Sequence, residues 1–257
     1  MEHALRDFQQ ELDEIRSYVA LAEAVADLRA FAPSKTLERT RLGKSAASIH
    51  AGVLMAVRWE TIALDGAFLF LAGLYEETFR EITRRLVGDV ERSATTYGDL
   101  SDKVRKSNVL AVAEYLRRPE DSRYGHLTMD AIVGDLAGVL SDGAPVRLFG
   151  DGFAHHDRNL RPGEVSEMLG RVGVASLWPQ VASQPELQAH FEGSGADLTQ
   201  RAAWEKLNAF IDTRNAIAHS ASTALTVGGS VLRDYADFLE ALLVSLVAVL
   251  RAWASTL

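Results

Sequence analysis

The sequence predicts an all-α protein: an up-and-down helical bundle with an irregular, partly helical insertion in the middle. Apolar residues recur with the period of an α-helix over several long stretches. Proline and glycine concentrate in short segments between these stretches, where they are typical of loops. The chain has 257 residues, of which 47% are hydrophobic. That length and composition suit one large domain around a packed core.

The N-terminal third contains the first two predicted helices. Residues 8–28 and residues 60–86 each carry an apolar stripe, and we expect the second helix to end at Gly88. Pro33 marks a break after the first helix, and residues 36–57 are either helical or partly irregular. The stripe of the first helix consists of Leu12, Ile15, Val19, Leu21, Ala22 and Val25.

The middle of the chain is predicted to contain short helices and loops. Residues 97–144 hold short helical pieces, for which Ser101 or Ser107 is a suitable N-cap. Residues 143–162 are expected to form a loop, and a short helix over 165–172 should end at Gly173. Pro179 and Pro185 indicate further loop. We therefore expect a single domain over 1–257, with 95–195 as an elaboration packed on the bundle.

Two long helices complete the prediction. Asp197 or Thr199 caps a helix that runs to His219, with Trp204 and Ile217 on its inward face. A final helix over 231–253 is apolar on more than half of its surface. Such a helix is either buried or faces a partner.

Composition narrows the classes of function. The net charge of −8 argues against non-specific coating of nucleic acid, which needs a broadly basic surface. Cysteine is absent from the sequence, so disulfides and thiolate metal sites are excluded. The longest apolar stretch is far shorter than the roughly 18 residues of a membrane span. We expect a cytoplasmic protein that acts without a membrane and without a cofactor or metal.

The most informative stretch is residues 214–219, which contain Arg214, Asn215 and His219. Arginine carries a fixed planar charge that matches phosphate oxygens. Histidine is the side chain best suited to proton transfer near neutral pH. Together they provide the minimum chemistry for breaking a phosphodiester bond without a metal.

The spacing of this pair leaves two arrangements open. On an α-helix, Arg214 and His219 are separated by roughly 140° around the axis, so they do not share a narrow face. Either the long arginine side chain reaches around the helix end, or two copies of the segment face each other across a symmetric dimer. The simpler interpretation is a surface pair that complements the helix C-terminus.

Residues 207–220, which include Arg214, Asn215 and His219, resemble the signature of the HEPN superfamily. These all-helical domains carry an arginine, often followed by asparagine, and a histidine a few residues later. The layout of long early helices, a variable middle and a final long helix is similar to the RiboL-PSP-type branch. Many HEPN proteins are metal-independent endoribonucleases that act as toxins, abortive-infection proteins or anti-phage defence effectors.

The resemblance implies roles for particular residues. Arg214 and His219 would be the catalytic pair at a homodimer interface, with Asn215 at the polar position after the arginine. Glu76 or Glu77, on an earlier helix, would support the site. The 2′-hydroxyl of RNA would attack the adjacent phosphorus, while His219 transfers a proton and Arg214 holds the phosphoryl oxygens.

Other charged residues are candidate RNA contacts. Arg80 and Arg84 could follow a phosphate track, although neighbouring acids favour a salt-bridged surface. His155, His156 and Arg158 lie in a glycine-rich segment that could contact RNA. As a metal site, the adjacent histidines with Asp157 have poor spacing.

Two alternatives to an RNA-cleaving enzyme remain at this stage. The first is a non-catalytic HEPN-like module that binds RNA, a nucleotide or a protein. The second is a helical interaction protein whose acidic charge sequesters a basic partner. An antitoxin or a defence-system protein is a possible partner under the enzymatic hypothesis.

Overall fold

The computed structural model confirms the all-α prediction. It describes residues 1–27, 40–41, 44–45, 47–48, 51–52, 59–117, 128, 130, 132–134, 145–156, 158–193, 195–219 and 227–257. Residues 36–57, predicted as helical or irregular, fall almost entirely outside this set. The named α-helices are α1 (Glu2–Asp27), α2 (Trp59–Ser93), α3 (Asp102–Arg117), α4 (Gly150–Phe153), α5 (Pro162–Val172), α6 (Leu177–Ala182), α7 (Pro185–His190), α8 (Ala196–His219) and α9 (Gly229–Ala254).

The chain divides into two compact units. The larger unit comprises Met1–Arg6, Glu76–Ile211 and Ala241–Leu257. The smaller unit comprises Asp7–Tyr75 and Asp212–Glu240. Helices α1, α2, α8 and α9 each contribute residues to both units. The prediction of one domain with an elaboration over 95–195 stays a prediction.

Within the smaller unit, apolar residues from α1, α2 and α9 are buried. Ion pairs join α1 to α9, since Arg16 Nη2 lies 2.6 Å from Asp237 Oδ1 and 2.7 Å from Glu240 Oε2. These pairs are partly exposed, so burial of apolar surface contributes more to stability than they do. The large buried side chains include Phe8, Leu12, Phe68, Leu71 and Phe238.

Within the larger unit, a buried polar network fixes the segment that leads into α4. Asn108 on α3 donates to the carbonyl of Arg147 at 3.0 Å and accepts from the backbone N–H of Phe149 at 2.8 Å. The hydroxyl of Tyr97 donates to the same carbonyl. Because Asn108 is only 1% exposed, each of these bonds replaces water and holds α3 against residues 147–149.

Several predicted boundaries are confirmed and others are wrong. Ser101 precedes α3, and its hydroxyl accepts from the N–H of Val104 at 3.4 Å. Gly173 follows α5 in a left-handed conformation with φ 106°, as a C-terminal glycine should. However, α2 does not end at Gly88. Buried Val90 extends the apolar stripe by another turn, which offsets the weak helix propensity of one glycine.

The proline-rich and glycine-rich segments contain more helix than predicted. The expected loop over 143–162 includes the short helix α4. Pro185 is the first residue of α7 and Pro179 lies within the first turn of α6, rather than in loops. Proline is well tolerated in a first helical turn, because the N–H it lacks has no partner there.

The last two helices form largely as expected. α8 begins at Ala196, so Asp197 and Thr199 lie inside it and do not cap it. Trp204 does not face inward as predicted: it is 38% exposed and packs edge-on against Trp178 at 5.5 Å between centroids. The apolar side chains of α9 are mostly buried, so the chain itself covers them. Every helix in the described ranges is too short or too polar to span a bilayer.

Candidate functional site

The motif segment (residues 214–219) forms the last turns of α8 and lies in the smaller unit. It contains no proline or glycine, so nothing interrupts the helix before His219. Arg214, Asn215 and Ile217 are partly buried, and His219 is exposed. Since all six residues are helical, Arg214 and His219 are offset by roughly 140° and by about 7.5 Å along the axis.

Arg214 is oriented by its neighbour. Its Nη1 donates a hydrogen bond to Oδ1 of Asn215 at 3.2 Å. Asn215 thus uses its side-chain oxygen as the acceptor for the guanidinium. The guanidinium is planar, a geometry that matches phosphate oxygens.

A tyrosine of α9 contacts the residue that directly precedes the motif segment. The hydroxyl of Tyr235 on α9 is hydrogen-bonded to Thr213, which directly precedes Arg214. The ring of Tyr235 also meets Phe68 on α2 edge-on, with centroids 5.6 Å apart. Burial raises the pKa of Tyr235 above its ordinary value, although the bond to Thr213 opposes this. Tyr235 thereby joins the last turns of α8 to α9.

Sequence reasoning missed Tyr235. It is one of six tyrosines, and it stands near the start of a helix chosen for its apolar character. The hydroxyl of a tyrosine that is partly buried usually has a hydrogen-bond partner. Without coordinates, nothing indicated that the partner is Thr213.

The proposed supporting acids, Glu76 and Glu77, belong to the larger unit and form ion pairs along α2. Glu76 Oε2 lies 3.4 Å from Arg80, and Glu77 Oε1 lies 3.0 Å from Arg84. The salt-bridged surface that the sequence favours around Arg80 and Arg84 is therefore present. Their role in supporting catalysis stays a prediction.

Arg84 is held by acids from two elements. Its Nε lies 2.8 Å from Asp151 on α4, and its Nη1 lies 3.0 Å from Glu77 and 3.3 Å from Glu81. Burial disfavours the charged guanidinium, but the hydrogen bonds to Glu77 and Asp151 outweigh it and raise the pKa of Arg84. Arg80 is likewise paired with Glu76 and Glu77. These pairs compete with phosphate for both arginines.

His155, His156 and Arg158 lie together at a cavity of the larger unit, which has a volume of about 440 Å³. The histidines are partly buried and Arg158 is exposed. Asp157, the remaining residue of the weak metal hypothesis, lies outside the described residues. In the part of the chain that the structure describes, no three His, Asp or Glu side chains gather as metal ligands would.

Comparison with known proteins identifies one family. A model of the family described as RiboL-PSP-HEPN matches residues 60–251, which include α2, α8 and the motif segment. No curated protein and no solved structure matches the chain significantly. A match to a HEPN-type family supports an RNA-related role in general.

Proposed function

Because the chain belongs to the RiboL-PSP-HEPN family, we propose that it is a metal-independent endoribonuclease with Arg214 and His219 as its catalytic residues. The observation that carries this proposal is the motif segment itself. It presents an oriented guanidinium and an exposed imidazole at the end of one helix. Asn215 supports the site by holding Arg214.

The proposed chemistry is an internal transfer within RNA. The 2′-oxygen attacks the adjacent phosphorus, the bond from phosphorus to the 5′-oxygen breaks, and a 2′,3′-cyclic phosphate and a 5′-hydroxyl form. The 2′-hydroxyl loses a proton and the leaving 5′-oxygen gains one; His219 carries out one of these transfers, and water exchanges the other proton. Arg214 binds the non-bridging oxygens, where negative charge grows in the transition state. DNA lacks the nucleophile, so it is not a substrate.

We place the site at a homodimer interface, because Arg214 and His219 of one helix point in different directions. In a two-fold dimer, the arginine of one copy can meet the histidine of the other. The smaller unit also carries an apolar strip on α2, where Ile62 is 68% exposed and Phe70 is 52% exposed. Exposed apolar surface of this kind is typical of subunit interfaces, which supports the dimer.

The biological role we propose is that of a toxin or anti-phage defence effector in the cytoplasm, controlled by an antitoxin or another defence protein. Glu76 and Glu77 are proposed as supporting residues. His155, His156 and Arg158 are better RNA-contact candidates than Arg80 and Arg84, because acids already pair with both of those arginines.

The first experiment measures cleavage of a labelled RNA by the purified full chain in the presence of EDTA. We expect cleavage by the wild type and none by His219→Ala, because the proton-transfer group is gone. His3→Ala, which removes an exposed histidine of α1, is the matched control and should cleave normally. Binding of RNA by the wild type without any cleavage would instead favour the non-catalytic module.

A second experiment tests whether the site is shared between subunits. Arg214→Ala and His219→Ala should each lose nearly all cleavage alone, and the two proteins are mixed under conditions that exchange subunits. If each site takes its arginine and its histidine from different copies, mixed dimers keep one intact site, and about a quarter of wild-type activity returns. No recovery, with exchange verified by mass, would contradict the shared site.

A further inference from the structure

The cavity of the larger unit is formed by α3 and by two elements, α4 and α5, that follow it much later in the sequence. α3 contributes one face, with Ser107, Leu110 and Glu114 on successive turns. The segment that begins in α4 contributes His156 and Arg158, and α5 contributes Arg171. At about 440 Å³, the cavity is within the range of sites for small organic ligands.

The lining separates into an apolar part and a cationic part. Leu110, Ala111 and Phe153 supply carbon surface. Leu110 is 61% exposed, so its side chain is accessible to a ligand. His155, His156, Arg158 and Arg171 supply the cationic or titratable groups.

The imidazole of His156 is oriented by the backbone of Arg158. Its Nδ1 lies 3.0 Å from the backbone N–H of Arg158 and 3.3 Å from the carbonyl of the same residue. When Nδ1 accepts from this N–H, the neutral ring carries its hydrogen on Nε2. In that tautomer His156 is a hydrogen-bond donor through Nε2.

The described lining contains two arginines and two glutamates, and the two arginines are not equally neutralised. Arg171 is paired with Glu167 at 2.6 Å and also donates to the carbonyl of His155 at 3.3 Å. The hydrogen bond from Arg171, with the charges of His156 and Arg158, lowers the pKa of Glu167. Among the described residues no carboxylate pairs with Arg158. The guanidinium of Arg158 is therefore the group best placed to receive an anion.

Glu114 gives the cavity a second kind of polar group. It lies on α3 one turn beyond Leu110 and is 3.0 Å from Arg117. A carboxylate repels a phosphate but accepts hydrogen bonds from vicinal hydroxyls, as acidic residues do with ribose. Cations, carbon surface and a hydroxyl acceptor in one cavity match the three parts of a nucleotide.

The backbone of α4 approaches α3 closely beside this surface. A Cβ added to Gly152 would lie 2.6 Å from the Cβ of Ala111 and 2.5 Å from Cδ1 of Phe149. Only glycine allows this approach, so the sequence specifies the wall of the cavity at this position. The cavity is thus a packed feature of α3 and α4.

We infer that this cavity binds a nucleoside phosphomonoester, with the phosphate at Arg158 and His156 and the base against Leu110. The ligand is either a free nucleotide or the phosphorylated end of an RNA strand, which share this chemistry. This site lies outside the motif segment and requires neither Arg214 nor His219. A free nucleotide goes beyond the proposed function, whereas binding of an RNA end rests on the RNA contacts proposed for His156 and Arg158.

Calorimetry of the full chain with AMP, adenosine and inorganic phosphate tests the inference. We expect AMP to bind more tightly than either fragment. Arg158→Ala should weaken AMP binding by about tenfold or more, as loss of a charge-assisted hydrogen bond does. Leu110→Ala should weaken AMP by about threefold or more without changing phosphate binding. Arg92→Ala, which removes an exposed arginine of the same unit, should bind AMP normally.

Competition distinguishes the two sources of the ligand. In the His219→Ala background, which should leave RNA uncut, AMP is displaced by oligoribonucleotides with a 5′-phosphate or a 5′-hydroxyl. Displacement by the phosphorylated strand alone assigns the site to RNA ends, and displacement by neither assigns it to free nucleotides.

Two results would overturn the inference: AMP binding no tighter than inorganic phosphate, or AMP binding unchanged in Arg158→Ala. Leu110 and Arg158 are both exposed, so these variants should fold, and circular dichroism verifies it. Binding of AMP to His219→Ala is independent of RNA cleavage, so failure of one proposal leaves the other open to test.

Discussion

The two halves of α8 differ in what holds their residues. In the first half, Ala203, Leu207 and Phe210 are completely buried in the larger unit. In the second half, residues 212–219 belong to the smaller unit and are partly buried or exposed. Packing therefore determines the residue types at these three positions. The second half is free to carry chemistry, and changes there should affect activity more than folding.

The same substitution in each half gives the largest contrast. Arg214→Ala should lower RNA cleavage by about 10²–10³-fold, the usual cost of removing one group that stabilises a transition-state oxyanion. Arg201→Ala, an exposed arginine of the first half, should leave cleavage unchanged. Single-turnover rates measure both effects. Equal losses in the two variants would remove the distinction between the halves.

Truncation in the buried half should affect stability. Leu207→Ala removes a side chain that is 0% exposed, and should destabilise the protein by about 2–5 kcal/mol through lost burial and a cavity. Chemical denaturation measures the free energy of unfolding. His219→Ala is the comparison and should stay within about 0.5 kcal/mol of wild type, because the residue is exposed.

A smaller effect is expected where the second half contacts α9. Tyr235→Phe keeps the ring contact with Phe68 and removes the hydrogen bond to Thr213. We expect a loss of about 0.5–1.5 kcal/mol in unfolding free energy, which is typical of one such bond. A decrease in cleavage rate with unchanged RNA affinity would further indicate that Tyr235 positions the motif segment. Stability equal to wild type would show that the bond contributes nothing.

The smallest effect is a pH dependence of the same tyrosine. Its pKa in the folded chain is raised above 10.0, mainly by burial, so the folded state holds this proton more tightly than the unfolded state. The resulting stability is complete below pH 10.0 and is lost as the pH rises through the folded pKa. Tyrosinate absorbance of wild type against Tyr235→Phe measures this titration. A group titrating at or below pH 10.0 would contradict the assignment.

Structural features that depend on a local sequence pattern, such as helices and their caps, could be predicted from the sequence. Periodicity located the long helices, and their packing residues, such as Leu12 and Leu207, are buried as their stripes require. Gly173 was correctly placed after a helix, because a left-handed C-cap has few alternatives to glycine. The predictions at Gly88 and Pro185 were wrong. A glycine can lie inside a helix as well as at its end, and a proline can begin a helix as well as lie in a loop.

Arrangements that depend on distant contacts were not predictable. The motif segment is contiguous in sequence, so its residue types alone predicted cleavage of a phosphodiester bond. The cavity combines α3, α4 and α5, and only folding brings Leu110 and Arg158 to one surface. The pairing of Arg84 with Asp151 also spans 67 positions. No periodicity in the sequence encodes such contacts.

Analysis of the cleavage products tests the central claim most directly. A short RNA and the same strand with a single 2′-deoxy nucleotide at the cut position are incubated with the full chain in EDTA, and the ends are identified by mass. We predict a 2′,3′-cyclic phosphate and a 5′-hydroxyl from the RNA, and no cut at the 2′-deoxy position. Cleavage at the 2′-deoxy position, or products with 5′-phosphate ends, would contradict internal attack assisted by Arg214 and His219.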